Sequence, residues 1–232
     1  MWSIDRTLVD VAQVTRRAYA EAFEQVTGQP LVYLTATQGL SDSELFYEFL
    51  ARNNLPVDPE DDQLPFFVEA LEEAFANHRH ELTTKGHEMP GARAALDAVA
   101  RMPGTVQTVV TGTIRANALA QLSAFGMDNY LDLEIGGFGS DTYTIASLLQ
   151  LTRMRAERER QNVFPEETTI HVTNSTRGVE AARIGRAVPV AVVSGSATRG
   201  QLQNAGAEHI LDDIADTAAF TSIVQRIGGN RE

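Results

Sequence analysis

The chain has 232 residues and a mass of 25.3 kDa, with 43% hydrophobic residues, a formal net charge of −12 at pH 7 and a pI near 4.8. The acidic charge repels nucleic acid and anionic membrane surfaces, and no apolar run reaches the roughly eighteen residues that a membrane span needs. Cysteine is absent, which excludes disulfide bonds, a thiol nucleophile and cysteine metal ligands, so we expect a cytoplasmic protein without nucleic-acid or membrane partners.

The first part of the chain is a short apolar strand that runs into a polar turn, residues 1–10. Apolar residues at helical spacing then predict helices over residues 11–26, 41–54 and 64–83. Ser41 and Glu44 form a predicted capping box at the start of the second helix. The acidic stretch 58–62 is predicted to be a solvated turn. Residues 13–85 are therefore predicted to form an all-helical segment.

From residue 86 onward, short apolar runs alternate with helical patterns. The predicted strands cover residues 106–110, 131–135, 169–172, 188–193 and 209–211, and the predicted helices cover residues 92–102, 117–125, 148–161 and 179–184. Strands that alternate with helices predict a parallel sheet covered on both faces. The predicted fold class is therefore α/β, with a core formed by residues 1–12 and 86–232 and an inserted helical cap of residues 13–85.

The opening turn carries a recognisable pattern, Trp2-x-Ile4-Asp5-x-Thr7-Leu8-Val9-Asp10. It resembles the nucleophile loop of the haloacid dehalogenase-like phosphohydrolases, whose pattern is apolar-Asp-x-Asp-x-Thr-Leu. Further matches to the phosphoglycolate phosphatase-like branch follow in the right order: Gly39-Leu40-Ser41-Asp42, Met89-Pro90-Gly91, Val109-Val110-Thr111-Gly112-Thr113, Phe138-Gly139-Ser140-Asp141 and Gly206-Ala207-Glu208-His209-Ile210-Leu211-Asp212-Asp213. The resemblance implies a Rossmannoid core with a helical cap.

The resemblance also implies a set of catalytic positions, and most of them are changed here. Ser3 stands at the position of the nucleophilic aspartate, whereas Asp5 keeps the acid/base position and Thr111 keeps the phosphate-binding hydroxyl. Ile145 occupies the cation position, and the only lysine, Lys85, lies far away in sequence.

The metal-binding motif of the family corresponds to Thr173-Asn174-Ser175-Thr176-Arg177-Gly178, and both of its acidic residues are missing. Mg²⁺ prefers charged oxygen ligands. We therefore expect no metal cofactor and no phosphomonoester hydrolysis by the family mechanism.

A cleft that has lost carboxylates but keeps backbone N–H donors is a better site for an anion. The predicted ligand-binding residues are Arg6, Thr7, Thr111, Gly112, Thr113, Asn174, Ser175, Thr176 and Arg177. Arg6 and Arg177 are candidates for the missing positive charge, and the alternative for each arginine is that it simply points to solvent. The predicted ligand is a small molecule, anionic in the favoured case, and a protein partner is a second option.

Three functional hypotheses remain open at this stage. The first is a pseudoenzyme that binds a small molecule or an anion. The second is a repurposed metal-free enzyme that uses Asp5 as acid/base on a small metabolite, and the third is an atypical phosphohydrolase. An alternative for Asp5 is a turn-forming residue with no chemical role. Ser3 as a nucleophile needs an adjacent base, and the motif geometry places no histidine near it.

The histidines give weaker signals. His78, His80 and His87 lie near Glu81 and Glu88, but positions i and i+2 of a helix point to different faces, which argues against a metal site. His171 is predicted to be a packed core residue, and His209 to lie on a surface strand. Because Met1 begins almost inside the first strand, either that strand is short or the chain starts upstream.

Overall fold

The computed structural model describes residues 1–57, 60 and 62–229, so most of the acidic turn predicted over residues 58–62 lies outside the described residues. The helices are α1 (Ala12–Thr27), α2 (Asp42–Arg52), α3 (Leu64–His78), α4 (Leu82–Lys85), α5 (Ala92–Ala100), α6 (Arg115–Ala124), α7 (Ile145–Arg160), α8 (Thr176–Ile184), α9 (Arg199–Asn204) and α10 (Thr217–Gly228). The strands are β1 (Val9–Asp10), β2 (His87–Glu88), β3 (Ile170–Thr173), β4 (Val188–Val192) and β5 (His209–Leu211). No helix among these residues is long and apolar enough to cross a membrane.

A parallel sheet forms the centre of the α/β core. Strands β3, β4 and β5 pair in parallel, with Val172 opposite Val190. Single parallel bridges extend this sheet, because Trp2 pairs with both Val109 and Val172, and Val110 pairs with Gly137. The opening segment therefore lies between two neighbours in the middle of the sheet. This arrangement confirms the predicted fold class.

Trp2 anchors the opening segment to the core. Its side chain is 2% exposed and its ring lies 5.2 Å from that of Phe220, measured between centroids. The indole N–H donates to Oε1 of Gln107 at 3.2 Å, and the Gln107 amide donates in turn to the carbonyl of Leu96 at 2.9 Å. Both buried polar groups thus have partners, which is what burial of such groups requires.

The strand predicted over residues 131–135 is wrong. Residues 131–135 form no strand; they follow a 3₁₀ helix that spans Asp128–Tyr130, and the sheet is reached only at Gly137. The Asp132 carboxylate accepts the backbone N–H of Glu134 at 3.2 Å and also pairs with Arg160. Such local side-chain to backbone bonds compete with strand pairing. Helices α9 and α10 had not been predicted.

A two-stranded antiparallel link connects the core to the helical segment. Val9 lies opposite Glu88 and Asp10 lies opposite His87, so the chain leaves the core and returns to it side by side. Helices α1 to α4 lie between these two strands and correspond to the predicted cap. An aromatic cluster packs them together, with stacked Phe46 and Phe67 rings 4.6 Å apart.

Candidate functional site

The site lies at the carboxyl ends of the central strands, where the helical cap covers the loops of the core. These two parts enclose a cavity of about 80 Å³. Eight of the eleven predicted site residues line it, namely Ser3, Asp5, Arg6, Thr111, Gly112, Thr113, Asn174 and Ser175. Parallel strands bring these loops to one edge of the sheet, as the sequence predicted.

Three predicted site residues lie outside the cavity lining. Thr7 is buried, and its hydroxyl has no partner among the described residues. Thr176 and Arg177 begin helix α8, and the Arg177 side chain is exposed. The structure therefore does not bring these three residues to the enclosed space.

Ser3 has a histidine neighbour. Its Oγ lies 3.3 Å from Nε2 of the fully buried His171 in strand β3, so the prediction that no histidine lies near Ser3 is wrong. Burial, aided by the positive charge of the Met1 amino group, lowers the pKa of His171 to about 3. Its Nδ1 atom has no partner among the described residues.

An activated serine needs a base that accepts a proton and a third group that orients the base. The lowered pKa of His171 opposes formation of the imidazolium, and the unpartnered Nδ1 shows no orienting group. Among the described residues, the Ser3–His171 contact therefore lacks both the basic histidine and the orienting group that activate a serine.

Asp5 is half-buried at the cavity wall, and burial raises its pKa from the ordinary value of 3.8 to about 6. The charges of Arg6 and Arg16 lower this pKa, whereas the charge of Asp10 raises it. A carboxyl group with a pKa near neutrality is suited to both accepting and donating a proton.

Asn174 occupies the position at which the family motif has a metal-binding acid. Its side-chain amide donates to the backbone carbonyl of Asp5 at 2.8 Å. Gly178 stands at the other acidic position, where a Cβ atom would lie 2.0 Å from Oγ1 of Thr173. A side chain at residue 178 therefore requires a rearrangement of this loop.

Arg6 lies in the left-handed region of backbone conformation, with φ at 52°. Its guanidinium pairs with the Asp10 carboxylate at 3.2 Å, and its carbonyl accepts the Ser194 hydroxyl at 2.6 Å. Arg6 thus lines the cavity with a charge that is already paired.

Asp42 is a site residue that sequence reasoning missed. It is 2% exposed, and its carboxylate accepts the Tyr19 hydroxyl at 2.6 Å and the backbone N–H of Ile114 at 2.8 Å. Burial raises its pKa to about 6, against the lowering effect of those two hydrogen bonds. The motif Gly39-Leu40-Ser41-Asp42 contains this residue, but only the fold shows that Asp42 joins the cap to the core.

Several backbone contacts hold the cap closed on the core. The N–H of Asp42 donates to the carbonyl of Gly112 at 2.8 Å. A Cβ atom on Gly112 would lie 2.0 Å from the carbonyl oxygen of Leu40, so this contact requires glycine. The Ser196 hydroxyl also donates to Oε1 of Gln38 at 2.9 Å, across the same boundary.

The family's cation position is uncharged here, because Ile145 occupies it and lines the cavity. Lys85 is not among the residues that line the cavity and pairs with Glu81 at 2.7 Å. His78 contacts Glu21 at 2.8 Å. Within the part of the chain that the structure describes, no group of three or more His, Cys, Asp or Glu residues could hold a metal ion.

A larger cavity of about 560 Å³ lies at the opposite ends of the strands, against Met1, Trp2 and Phe220. None of the predicted site residues lines it. The polar groups of the chain instead converge on the smaller cavity.

A sequence profile of the family described as "Haloacid dehalogenase-like hydrolase" matches residues 1–192. The chain belongs to the haloacid dehalogenase-like hydrolase family. No curated protein shows significant sequence similarity to it.

Solved structures share the haloacid dehalogenase-like fold over nearly the whole chain. A hydrolase from Pseudomonas syringae is 20% identical with a TM-score of 0.72, covering 96% of this chain and 97% of the other. CbbY from Rhodobacter sphaeroides is 24% identical with a TM-score of 0.68, covering 93% of each chain. A HAD hydrolase, family IA, variant 3 from Entamoeba histolytica is 16% identical with a TM-score of 0.70, covering 97% of each chain.

Proposed function

We propose that this haloacid dehalogenase-like protein lacks Mg²⁺-dependent phosphatase chemistry and binds a small anionic molecule in the cavity between cap and core. The hydrogen bond from the Asn174 amide to the Asp5 carbonyl carries the proposal. Asn174 stands at the position of a metal-binding acid, and the carbonyl within its reach is a group that a metal would otherwise use. An amide donor in this place satisfies the carbonyl without a cation.

The other donor groups do not fit Mg²⁺ either. Ser3 offers a neutral hydroxyl where the family has a carboxylate, and Gly178 offers no side chain. Mg²⁺ loses its water shell reluctantly and is held by carboxylates. The residues present therefore do not fit the metal that the family uses.

The same changes favour an anion. Ser3 lines the cavity where the family has a carboxylate, and the hydroxyl-bearing residues Thr111 and Thr113 line the same cavity. Among the fold neighbours, CbbY from Rhodobacter sphaeroides is described in complex with phosphate. Positions 3 and 174 carry no carboxylate in this chain, so an anion in the cavity needs no metal there to offset repulsion.

Anion titration calorimetry without Mg²⁺ tests the proposal. Phosphate and acetate are titrated into the wild type and into a Ser3→Asp, Asn174→Asp double variant. The wild type should bind at least one of them about tenfold more tightly, because two added carboxylates repel the anion at short range. Residue 178 is left as glycine, since a side chain there would clash with Thr173. Equal affinity in the two proteins would contradict the proposed anion site.

A second candidate function is favoured by the position of Asp5. Its raised pKa and its place in the cavity wall suit a metal-free enzyme that uses this carboxyl as acid/base on a small metabolite. An Asp5→Asn variant separates the two functions. Loss of biological activity with unchanged ligand affinity would favour the enzyme.

A further inference from the structure

The cap-side wall of the cavity is one face of helix α1. Four residues of this helix line the enclosed space, at positions i, i+3, i+4 and i+7, namely Ala12, Thr15, Arg16 and Tyr19. This is the spacing at which side chains share a helix face. This face carries one cation, Arg16, which borders the cavity and is also exposed to solvent.

The two neighbouring arginines of α1 have different surroundings. Arg17 donates to the Glu81 carboxylate at 3.1 Å and lies 3.4 Å from Nδ1 of His78. Arg16 forms no hydrogen bond or ion pair with any residue that the structure describes, and its charge acts on Asp5, whose pKa it lowers. Arg16 is thus the cavity cation without an ion-pair partner among the described residues, whereas Nε of Arg6 lies 3.2 Å from the Asp10 carboxylate.

The opposite wall belongs to the core and is lined by neutral groups, Ser3, Thr111, Thr113, Asn174 and Ser175. His171, fully buried, also lines the cavity, and its Nδ1 has no partner in the described part of the chain. Buried polar atoms in folded proteins usually have a hydrogen-bond partner. Nδ1 of His171 is therefore available for a further hydrogen bond.

The charges of the lining limit the charge of the ligand. Both oxygens of the Asp42 carboxylate already accept hydrogen bonds from the protein. Asp5 faces the same space, so a second negative charge on a ligand would meet a carboxyl group and find no further unpaired cation in the lining. One cation without an ion-pair partner, Arg16, next to the Asp5 carboxyl favours a ligand with a single negative charge.

The volume limits the size of the ligand. The cavity of about 80 Å³ is well below the roughly 300–1,000 Å³ of typical ligand pockets. While the cap is closed, this space suits a small anion.

We propose that Arg16 is the cap-side binding residue of the cavity and that the ligand is a small monocarboxylate. The planar guanidinium matches the two oxygens of a carboxylate, and hydroxyls of the core wall bind the other end. This inference rests on the proposed anion-binding function and adds to it the chemical class of the ligand. Because Arg16 lies on the cap, a ligand that it binds bridges cap and core.

Calorimetry at pH 7.5 with acetate and with inorganic phosphate tests this assignment in three proteins, the wild type, Arg16→Gln and Arg17→Gln. We expect the wild type to bind acetate more tightly than phosphate. Arg16→Gln should weaken acetate binding about tenfold to hundredfold, the range for loss of hydrogen bonds to a charged group. Arg17→Gln removes the same charge from the same helix outside the cavity and should leave the affinity within about twofold, since exposed pairs contribute little.

The outcomes are distinguishable. Equal acetate affinity in the wild type and Arg16→Gln would overturn the role of Arg16 and leave the proposed function standing. Tighter binding of phosphate than of acetate would overturn the monocarboxylate class. Failure of the wild type to bind either anion would overturn both this inference and the proposed function. Melting temperatures of the variants check that all three proteins are folded.

Discussion

The single residues of the site have lost charges of both signs relative to the family pattern. Where that pattern has a nucleophilic carboxylate, a cation and two metal-binding acids, this chain has Ser3, Ile145, Asn174 and Gly178. Breaking a buried charge pair by removing one partner leaves an uncompensated charge and is strongly destabilising. Removing charges of both signs together avoids this cost. The neutral contact between Ser3 and His171 fits such a set.

Replacing Asp42 with asparagine should remove a pH dependence of stability. Burial raises the pKa of this carboxyl to about 6 in the folded protein, against 3.8 ordinarily, so the folded state binds the extra proton between these values. The contribution of Asp42 to stability is therefore greatest below pH 4, is lost as the pH rises through about 6 and is flat above, a change of roughly 3 kcal/mol. Chemical denaturation from pH 4 to pH 7 measures the free energy of unfolding of both proteins.

The control for this experiment is Asp97→Asn in helix α5, where the carboxylate is 40% exposed. It should keep the wild-type slope of stability against pH. Asp5 and His171 also have shifted pKa values and keep their contributions to the slope in both variants. An unchanged slope in Asp42→Asn would show that the Asp42 carboxyl does not contribute to the pH dependence.

At the scale of elements, the start of helix α2 is fitted to a loop of the core. Ser41 and Glu44 form a reciprocal capping box, with hydrogen bonds of 3.1 and 2.8 Å. This cap fixes the first turn, so the Asp42 side chain and N–H reach Ile114 and Gly112 of the core. The helix terminus thus serves as a docking element for the cap.

Gly112→Ala should destabilise this contact. The added methyl group would lie 2.0 Å from the Leu40 carbonyl oxygen, and backbone atoms give way less easily than a flexible side chain. Overpacking of this kind costs about 1–3 kcal/mol. Thermal and chemical denaturation measure the loss.

Gly200→Ala in helix α9 provides the matched control, because a Cβ atom there meets nothing within 4 Å. It should be neutral or stabilising by up to about 1 kcal/mol, since alanine is the better helix former. A loss in Gly112→Ala no larger than that of the control would show that the loop can move away from the cap freely.

At the scale of the whole molecule, the chain keeps the family fold and its helical cap, whereas the residues at the family's catalytic positions differ. The cap and core meet at Gly112, at Asp42 and at the Gln38–Ser196 contact, and these contacts surround a cavity of only about 80 Å³. Ligand pockets for larger molecules are typically about 300–1,000 Å³. A larger ligand would therefore require the cap to open.

Mg²⁺ at millimolar concentration should leave the melting temperature of the wild type unchanged and should support no hydrolysis of p-nitrophenyl phosphate. Ligand stabilisation follows occupancy, and the site lacks charged ligands at positions 3 and 174. The Ser3→Asp, Asn174→Asp variant restores two carboxylates and removes the amide donor from the Asp5 carbonyl, so Mg²⁺ should raise its melting temperature. Wild-type turnover that EDTA abolishes would contradict the loss of phosphatase chemistry.

The local features of this protein follow from its sequence. Apolar periodicity predicted α1, α2 and the start of α3 to within two residues, and the spacing of Ser41 and Glu44 predicted the capping box. Strands β3 to β5 were also predicted to within one residue at each end. Helical periodicity, caps and apolar runs are interactions between near neighbours in the chain, so they are visible without the fold.

The tertiary structure decided the chemistry of the site. His171 lies against Ser3 across 168 positions of sequence, and the Asn174 amide reaches the Asp5 carbonyl across 169. The place of Arg16 at the margin of the cavity depends on how α1 lies over the core loops. Strand order, strand register and the placement of the cap determine such contacts. A sequence pattern of near neighbours does not contain this information, because register and placement are selected by burial that involves the whole chain.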